Sequence, residues 1–436
     1  MERQSIPSLV LILIISFSQI SKGQAPPRVP PHVSQETPLL ANLRNYAEND
    51  LTKNILPWWS IKMVDKVNGG FFGRIDSNDK VWPEADKGGI LNARILWTWS
   101  ASYRILKDTS YLRLAKRSRD YIYRHFLDTV NGGAFISVKA NGQPSDTRKQ
   151  TYTLSFFIYA LAEYSRATGD REALKKAKDI YRCIEKYASD TVSGGYYEVF
   201  TRDWKRSHDR LIGEKNDSIE KTMNTHLHLL EAYTNLYRIW PDKTLRERLI
   251  NLVNIFETKI VDSKTSHLIP FMLRDWTPAS VSYSFGHEIE CSWLLDETAK
   301  VLGDQEIKAR ISVLSLKIAD AAAEGLRNDG SMATEKDLKS GEVTSLRSWW
   351  EQAETIVGYL NAWQLTPKIK YLGEAMACSK YITEHFVDKK NGGWYSYVDQ
   401  SGIPGRADKA GFWVCPYHNG RMCLEVIERT EKFTKH

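Results

Sequence analysis

The segment Asn131-Gly-Gly-Ala-Phe135 decides the fold, because versions of it recur at regular intervals along the chain. Close copies are Asn68-Gly-Gly-Phe71, Ser193-Gly-Gly-Tyr196 and Asn391-Gly-Gly-Trp394. The first three copies are 63 and 62 residues apart, and the gap before the fourth is 198 residues, which leaves room for two more. Degenerate copies fill those two positions: Ser266-His-Leu-Ile-Pro270 and Asn328-Asp-Gly-Ser331. Self-similarity of this kind predicts six repeats of one supersecondary unit.

Each repeat contains two helical patterns, one before the Gly-Gly turn and one after it. The helices before the turn carry Lys, Arg and Glu along one side, which predicts a half-solvated outer layer. The helices after the turn are apolar on all sides, which predicts an inner layer. The predicted outer helices include Tyr111–Phe126, Glu172–Tyr187, Leu245–Ile260, Gln305–Ala323 and Ile369–Phe386. The predicted inner helices are Gly88–Leu106, Tyr152–Thr168, Ser218–Trp240, His287–Leu302, Ser348–Leu365 and His418–Thr430.

Six outer and six inner helices that alternate along the chain predict an all-α fold, a closed (α/α)6 barrel. We expect one domain from residue 36 to residue 433. The connections from outer to inner helices are long and Gly-rich, with aromatic residues after the glycines, and this predicts short β-hairpins. Long loops in a compact domain usually have a function. We therefore expect the functional site at the mouth of the barrel to which these loops lead.

The first 35 residues differ from the rest of the chain. Residues 1–23 have the pattern of a secretory signal peptide, with an apolar core from Ile6 to Phe17 and small residues before residue 24. An uncleaved anchor is the alternative, although the core is shorter than the roughly 20 residues of a membrane span. Residues 24–35 contain four prolines and predict an extended linker. We expect an exported protein, periplasmic or secreted, with no stable membrane span after cleavage.

The composition excludes several classes of protein. With 436 residues, 42% hydrophobic and 26% charged, the chain is neither disordered, nor collagen-like, nor a disulfide-rich miniprotein. The net charge of +7 comes from interspersed signs, so no nucleic-acid surface is expected. The five cysteines form no CxxC motif and are predicted to be buried free thiols. We expect a monomer that acts on a small molecule.

Polar side chains occur near the start of several inner helices. Arg94 lies in an apolar stretch, and a buried Arg needs a partner or a ligand. A salt bridge across the ring is the alternative. Asn224 and His228 are four residues apart and share one helix face, which carries either chemistry or a buried hydrogen bond. His226 points away from that face and is predicted to pack against the next helix.

His287 and Glu290 are three residues apart, so they share a helix face. A carboxylate beside an imidazole raises its basicity and fixes its orientation, although a buried structural pair is the alternative. Glu288 points elsewhere.

The last two inner helices bring aromatic residues and a further histidine. The adjacent Trp349 and Trp350 suit a wall on which a sugar ring stacks, with core packing as the alternative. Trp413 and His418 fall just before the last helix. Three histidines and one arginine thus enter one end of the barrel from separate inner helices.

A metal site is a competing use of His228, His287, Glu290 and His418. We expect no metal, because the sequence has no tight metal-ligand spacing and Arg94 would oppose a cation. The chain also contains no phosphate loop, nucleotide fingerprint or Ser nucleophile motif.

Five motifs in this chain resemble the cellobiose 2-epimerase family, which is similar to the N-acylglucosamine 2-epimerases. They are Asn92-Ala-Arg94, Asn224-Thr-His-Leu-His228, His287-Glu-Ile-Glu290, Trp349-Trp-Glu-Gln-Ala-Glu354 and Trp413-Val-Cys-Pro-Tyr-His418. The resemblance covers nearly the whole mature chain and implies an (α/α)6 barrel, in agreement with the repeats. It implies reversible inversion at C2 of the reducing-end sugar of a β-1,4-linked disaccharide, without metal or nucleotide. Cellobiose would give glucosyl-mannose, and mannobiose would give mannosyl-glucose.

The resemblance also implies a role for each matched residue. His287 and His418 would be the acid/base pair, and His228 would assist ring opening or hold the open chain. Arg94 and Asn224 would bind the oxygens around C1 and C2. The residues expected to complete the sugar pocket are Tyr152, Glu290, Trp349, Trp350, Glu354 and Trp413. One departure is Glu351, where the family pattern leads us to expect Pro, and it leaves the substrate preference open.

Three other functions fit the same fold. A glycoside hydrolase would use two carboxylates across a cleft, from Asp86, Glu290 and Glu354, but would leave three histidines unexplained. An aldose–ketose isomerase would share the enediolate and move the proton from C2 to C1. A glycan-binding protein without catalysis is the third alternative.

Overall fold

A computed structural model of the protein describes residues 33–207 and 219–434. The predicted signal peptide and residues 24–32 of the predicted linker lie outside this part. Thirteen α-helices occur in the described residues, and they are, in chain order, α1 (Val33–Asp50), α2 (Leu56–Lys62), α3 (Gly89–Leu106), α4 (Thr109–Tyr121), α5 (Thr151–Thr168), α6 (Arg171–Tyr187), α7 (Met223–Ile239), α8 (Lys243–Ile255), α9 (Phe285–Leu302), α10 (Gln305–Ala322), α11 (Trp349–Leu365), α12 (Ile369–Tyr381) and α13 (Tyr417–Thr434).

These helices form the predicted (α/α)6 barrel. Helices α3, α5, α7, α9, α11 and α13 pack side by side in that order, and α13 closes the inner ring against α3. The outer layer consists of α1, which continues into α2, together with α4, α6, α8, α10 and α12. Among the described residues, no helix is long and apolar enough to cross a membrane.

The burial of the two layers follows their sequence patterns. In α3 every residue from Gly89 to Ser102 is buried, whereas in α6 the buried residues are confined to one face, at Ala173, Ala177, Ile180, Tyr181 and Ile184. Four outer helices end in a short π-helical turn, at Leu51–Ile55, Ile122–Phe126, Phe256–Ile260 and Ile382–Phe386. The last three turns lead directly to the Gly-Gly loops at one mouth, whereas the first is followed by α2.

Some predicted boundaries were wrong. Helix α1 begins at Val33, inside the stretch that we predicted as an extended linker. Helix α7 begins at Met223 rather than at Ser218, because Lys221 and Thr222 form a β-strand instead. Helix α13 continues to Thr434, four residues beyond its predicted end. All five cysteines are free, as expected, but Cys183 is only partly buried, whereas the other four are buried.

Six equivalent β-bridges confirm the six repeats. They enclose the Gly-Gly turns and their two degenerate copies, and they pair Val64 with Phe71, Leu127 with Ala134, Ser189 with Tyr196, Val261 with Leu268, Leu326 with Met332 and Val387 with Trp394. The glycines are required by close packing. Gly70 has a φ of 61°, and a Cβ there would lie 2.6 Å from Cγ of Tyr121.

Short antiparallel strand pairs join each loop to the loop of the next repeat. The strands are β1 (Lys87–Gly88), β2 (Ser137–Val138), β3 (Lys149–Gln150), β4 (Val199–Phe200), β5 (Lys221–Thr222), β6 (Phe271–Met272), β7 (Ser282–Ser284), β8 (Glu335–Asp337), β9 (Arg347–Ser348) and β10 (Tyr397–Val398). The pairs are β1–β2, β3–β4, β5–β6, β7–β8 and β9–β10, and a bridge between Ile75 and Ala410 closes the seam. The loops therefore form a connected rim around the mouth.

Buried Lys–Asp pairs attach the segments that lead into four inner helices to the Gly-Gly turns of the same repeats. The pairs are Lys87–Asp65 (2.8 Å), Lys149–Asp128 (2.8 Å), Lys221–Asp190 (3.1 Å) and Lys409–Asp388 (2.9 Å). None of the four lysine side chains is exposed to solvent. Our sequence analysis did not identify these pairs, although Asp and Lys recur at the same places in each of these repeats.

Replacing Lys87 by methionine is expected to lower the free energy of unfolding by about 3–5 kcal/mol, because Asp65 would remain buried without its cation. Urea unfolding followed by circular dichroism measures this loss. The control is Lys205→Met, which breaks an exposed pair with Asp203 and should change stability by less than about 0.5 kcal/mol. Equal effects of the two substitutions would show that the buried pair does not stabilise the repeat.

Candidate active site

A cavity of about 380 Å³ lies at the mouth where the inner helices begin. Its wall consists of Arg94, Tyr152, Asn224, His228, His287, Glu290, Trp349, Trp350, Tyr397, Trp413, Val414 and His418. The structure thus brings together every predicted site residue except Glu354, which lies directly behind the wall as the hydrogen-bond partner of His418. Tyr397 and Val414 come from the loops and were not predicted.

A second cavity, of about 340 Å³, lies at the opposite mouth, where the inner helices end. Its charged side chains pair with one another, as Arg104 does with Glu163 and Glu428, and Arg238 with Glu297. It contains none of the histidines singled out in the sequence. We therefore place the active site in the first cavity.

Arg94 forms no ion pair in the described part of the chain. Its Nη2 donates to the Tyr152 hydroxyl over 2.9 Å, and its guanidinium lies 4.1 Å from the ring centre of Phe156. The alternative of a salt bridge across the ring is wrong. The partners of this buried cation are aromatic rings, the Tyr152 hydroxyl and Sγ of Cys415, which lies 3.8 Å from Nη1, so the cation remains available for an oxygen of a ligand in the cavity. Tyr152 accepts from Arg94, so its own O–H is also available to a ligand.

Two histidines are held by carboxylates. Nδ1 of His228 lies 2.9 Å from Oε2 of Glu231, and Nδ1 of His418 lies 2.6 Å from Oε1 of Glu354. A carboxylate only accepts hydrogen bonds, so each Nδ1 carries the proton and each Nε2 keeps a lone pair. Burial lowers the pKa of both imidazoles, so both are neutral near pH 7. Each has the protonation state of a general base.

His287 is held differently. Its Nδ1 lies 2.7 Å from Oγ of Ser284, and a hydroxyl can donate or accept, so this contact permits either tautomer. Burial lowers the pKa of His287 to about 3. The predicted pair with Glu290 is wrong, because Glu290 accepts instead from Arg421 of α13. Because they share a helix face, His287 and Glu290 line the same cavity. The carboxyl group of Glu290 nevertheless pairs with the guanidinium of Arg421 and not with the imidazole of His287.

Of the other positions on these helices, Asn224 and Glu288 behave as expected, whereas His226 packs against the loop residues Tyr196 and Trp276 and not against the next helix. Asn224 lines the cavity together with His228, and its Oδ1 has no partner among the described residues. His226 lies outside the cavity and is buried, with Nε2 accepting from the backbone N–H of Tyr196 over 3.0 Å. Glu288 accepts from His267 over 2.9 Å.

Tryptophan rings form one side of the cavity. The Trp350 ring lies 4.7 Å from the His287 ring and 5.5 Å from the His418 ring, measured between centroids. Trp349 is buried against His418, whereas Trp413 is 41% exposed at the rim and lies 5.9 Å from Tyr152. The buried Trp349 and the half-buried Trp350 position the two histidines. The exposed Trp413 provides an apolar face near the entrance on which a sugar ring can stack.

Glu351 has a structural role behind this wall. Its Oε2 accepts from the backbone N–H of Ser348 and so caps the start of α11. Glu351 and Trp350 both pack closely against Gly286. A Cβ on residue 286 would lie 2.3 Å from Cγ of Glu351 and 2.6 Å from the Trp350 ring. Gly286 therefore allows the turn before His287 to pack against Trp350.

Arg421 is the main feature that sequence analysis missed. It is fully buried, and its Nη2 donates to Oε1 of Glu290 and to Oε1 of Glu354, both over 2.6 Å. Its Nη1 donates to Glu231 and to the Tyr417 hydroxyl. One guanidinium thus holds the carboxyl partners of two histidines. The sequence did contain one indication of this role, because Arg421 lies three residues after His418 and therefore on the same face of a buried helix.

Glu290, Glu354 and His418 form the one group in the described residues that could hold a metal ion. The Arg421 guanidinium already lies among these side chains. A metal ion would have to displace this cation, so the donor set does not fit one. The hydrolase alternative also finds no support, because Glu290 and Glu354 bind the same guanidinium rather than facing each other across the cavity. Asp86 is exposed and accepts from Ser145 outside the cavity.

The sequence matches the profile of the family described as N-acylglucosamine 2-epimerase (GlcNAc 2-epimerase) over residues 70–419. It is 46% identical to a cellobiose 2-epimerase of Bacteroides fragilis over 386 residues, which cover 88% of this chain and 98% of the relative. It is 37% identical to the cellobiose 2-epimerase of Dictyoglomus turgidum over 380 residues, which cover 87% of this chain and 96% of the relative.

Solved structures agree with this similarity. The cellobiose 2-epimerase from Bacillus thermoamylovorans B4167 is 38% identical and superposes with a TM-score of 0.86, covering 89% of this chain and all of that chain. A D-mannose isomerase structure, 18% identical with a TM-score of 0.77, shares the fold. The similarity to cellobiose 2-epimerases and the histidines in the cavity wall both indicate a site that acts on a sugar.

Proposed function

This chain belongs to the N-acylglucosamine 2-epimerase family, and we propose that it is an isomerase that reversibly inverts C2 of the reducing-end sugar in β-1,4-linked disaccharides. The observation that carries the proposal is the arrangement of three histidines around one cavity, two of them held by buried carboxylates, with Arg94 at the same wall. The identity to cellobiose 2-epimerases over most of the chain supports it.

The reaction begins with the open-chain aldose, in which the C2 proton is weakly acidic. His287 and His418 are the acid/base pair, and both are neutral before the reaction, as abstraction near pH 7 requires. When one imidazole takes the C2 proton, the electrons move onto the C1 oxygen and form an enediolate. Return of a proton to the opposite face of C2 gives the epimer. Reprotonation by the second histidine and rotation of the intermediate both achieve this.

Hydrogen-bond donors already lie in the cavity where negative charge develops on the substrate oxygens. Arg94 and the Tyr152 hydroxyl lie together, and we assign them to the oxygens around C1 and C2 with Asn224. His228 presents a lone pair at Nε2, which suits it to accept from a sugar hydroxyl during ring opening. Preorganised donors of this kind stabilise an enediolate without reorganisation during the reaction.

We further propose that the substrate is cellobiose or mannobiose, that no metal or nucleotide takes part, and that the mature enzyme is a monomer. The position of Arg421 among the acidic side chains supports catalysis without a metal.

We also propose export through a signal peptide at residues 1–23, on the evidence of the sequence pattern. Amino-terminal sequencing of the exported protein would test this cleavage.

A single incubation tests the proposed function. The purified protein is mixed with cellobiose, and separately with β-1,4-mannobiose, in deuterated water that contains a chelator and no added cofactor. Proton NMR should show a new disaccharide with deuterium at C2 and the glycosidic bond intact. Free monosaccharides would instead show a hydrolase, and a ketose would show an aldose–ketose isomerase. Restoration of activity only by a divalent metal would contradict metal-free catalysis.

A further inference from the structure

Three buried carboxyl groups, those of Glu231, Glu290 and Glu354, share the single guanidinium of Arg421. If all three were ionised, three negative charges would face the single positive charge of Arg421, and two of them would remain uncompensated. An uncompensated buried carboxylate is costly and tends to take up a proton instead. The number of hydrogen-bond donors around each carboxyl shows which one carries that proton.

Glu231 and Glu354 each receive three donors. Glu231 accepts from His228, Tyr417 and Arg421, whereas Glu354 accepts from His418, Trp293 and Arg421. Hydrogen bonds to the charged form favour that form. For Glu231, burial alone would raise the pKa, but Arg421 and His228 lower it to about 2. Burial raises the pKa of Glu354, but its three donors, like those of Glu231, are the partners of a carboxylate.

Glu290 receives only one donor. Arg421 donates to its Oε1, and its Oε2, although fully buried, has no partner among the described residues. A carboxylate oxygen in that position would be desolvated without compensation, whereas a protonated oxygen could donate to a ligand in the adjoining cavity. Burial, and next the charge of Glu354, raise the pKa of Glu290 to about 8.

We propose that Glu290 is a neutral carboxylic acid in the resting enzyme and that its Oε2–H donates to the substrate oxygen that becomes negative in the enediolate. This inference rests on the proposed function. In the step, the base takes the C2 proton, the C2–H electrons form the C1=C2 bond, and the carbonyl electrons move to the C1 oxygen. A proton that Glu290 gives to this oxygen returns when the carbonyl re-forms, so no further reactant is needed.

Other ionisable groups surround Glu290, and their effects belong to any pH profile. They are Glu354 of α11, Arg421, Tyr417 and His418 of α13, Glu231 and His228 of α7, Tyr152 of α5, and Cys291 next to it on α9. The cluster is tightly coupled, so a titration near pH 8 belongs to the group as a whole. Assignment of the proton to Glu290 therefore needs a variant.

Glu290→Gln is the decisive substitution. The amide copies the neutral acid, since its oxygen can accept from Arg421 and its NH2 can donate from the position of Oε2. We expect kcat with cellobiose to fall by about 10-fold, whereas Glu290→Ala should cost about 10²–10³-fold through loss of the donor. The matched control is Glu354→Gln, which removes an ionised acceptor from His418 and should cost about 10³-fold or more.

The pH profile gives a second measurement. An acid whose pKa is raised to about 8 is protonated below that pH, so wild-type kcat should fall as the pH rises through 8. In Glu290→Gln the amide cannot ionise, and this decline should disappear. KM for cellobiose should change little in either case, because the donor acts mainly in the transition state.

Infrared spectroscopy tests the protonation state without turnover. The wild type minus Glu290→Gln difference spectrum at pH 7 should contain the carbonyl stretch of a protonated carboxyl, which shifts in deuterated water and disappears above pH 8. The corresponding difference for Glu231→Gln should contain only carboxylate bands. Circular dichroism and thermal unfolding establish that each variant is folded.

Two results would overturn the inference. One is a carboxylate rather than a carboxylic acid band for Glu290 at pH 7. The other is a loss of kcat in Glu290→Gln as large as that in Glu354→Gln, which would show that a negative charge is required. If the wild-type protein epimerised no disaccharide, the proposed function would fail, and the infrared result would still report the protonation state of Glu290.

Discussion

Replacement of His418 by alanine is expected to lower kcat for cellobiose epimerisation by about 10²–10⁴-fold. The Nε2 of His418 is the lone-pair nitrogen at the cavity, since Nδ1 donates to Glu354. Alanine removes this proton acceptor and leaves Glu354 bound to Arg421 and Trp293. The barrel should therefore stay folded. Deuterium incorporation at C2, followed by NMR, measures the rate.

His287→Ala should have an effect of similar size, because the two histidines act as a pair. The matched control is His385→Ala, which removes a half-buried histidine whose Nδ1 contacts the backbone oxygen of Gly402 outside the cavity. Its rate should stay within about two-fold of the wild type. A near-wild-type rate in either His418→Ala or His287→Ala, with the fold intact, would contradict the acid/base assignment.

Replacement of Arg421 by methionine is expected to destabilise the protein by about 3–5 kcal/mol, because the buried carboxyls would lose their shared cation. The loss should be smaller at low pH. Without the cation, the pKa values of these carboxyls in the folded variant would lie above their values in the unfolded chain. The free energy of unfolding of the variant should therefore fall as the pH rises through these raised pKa values. Urea unfolding at pH 5 and at pH 8 measures both effects.

Turnover should fall together with stability in Arg421→Met, because His228 and His418 depend on carboxylates that Arg421 holds. Arg421→Lys keeps the charge but cannot reach all its partners, so it should be intermediate. The control is Arg182→Met, which breaks an exposed pair with Asp179 and should change stability by less than about 0.5 kcal/mol. A stable and fully active Arg421→Met would show that the guanidinium neither stabilises nor positions the site.

The repeats and the cavity residues could be predicted from the sequence. The Gly-Gly turn, as in Asn131-Gly-Gly-Ala-Phe135, needs a backbone that glycine adopts readily, so it marks four of the six repeats directly, and their spacing locates the other two. Periodic apolar residues then separate inner from outer helices. Because the inner helices all begin at one mouth, polar residues in their first two turns, such as Arg94, His228 and His287, had to meet there. These patterns are local in the sequence. The six repeats place the residues that carry them around one cavity.

The hydrogen-bond partners inside the site depend on tertiary structure alone. Spacing on α9 placed Glu290 beside His287, but the guanidinium of Arg421, which arrives from α13 at the other end of the chain, binds Glu290 instead. The same contact leaves Oε2 of Glu290 without a donor. Sequence spacing sets which side chains share a face. Which of them pair, and which carboxyl keeps a proton, depends on the charges that the closed ring of helices brings together.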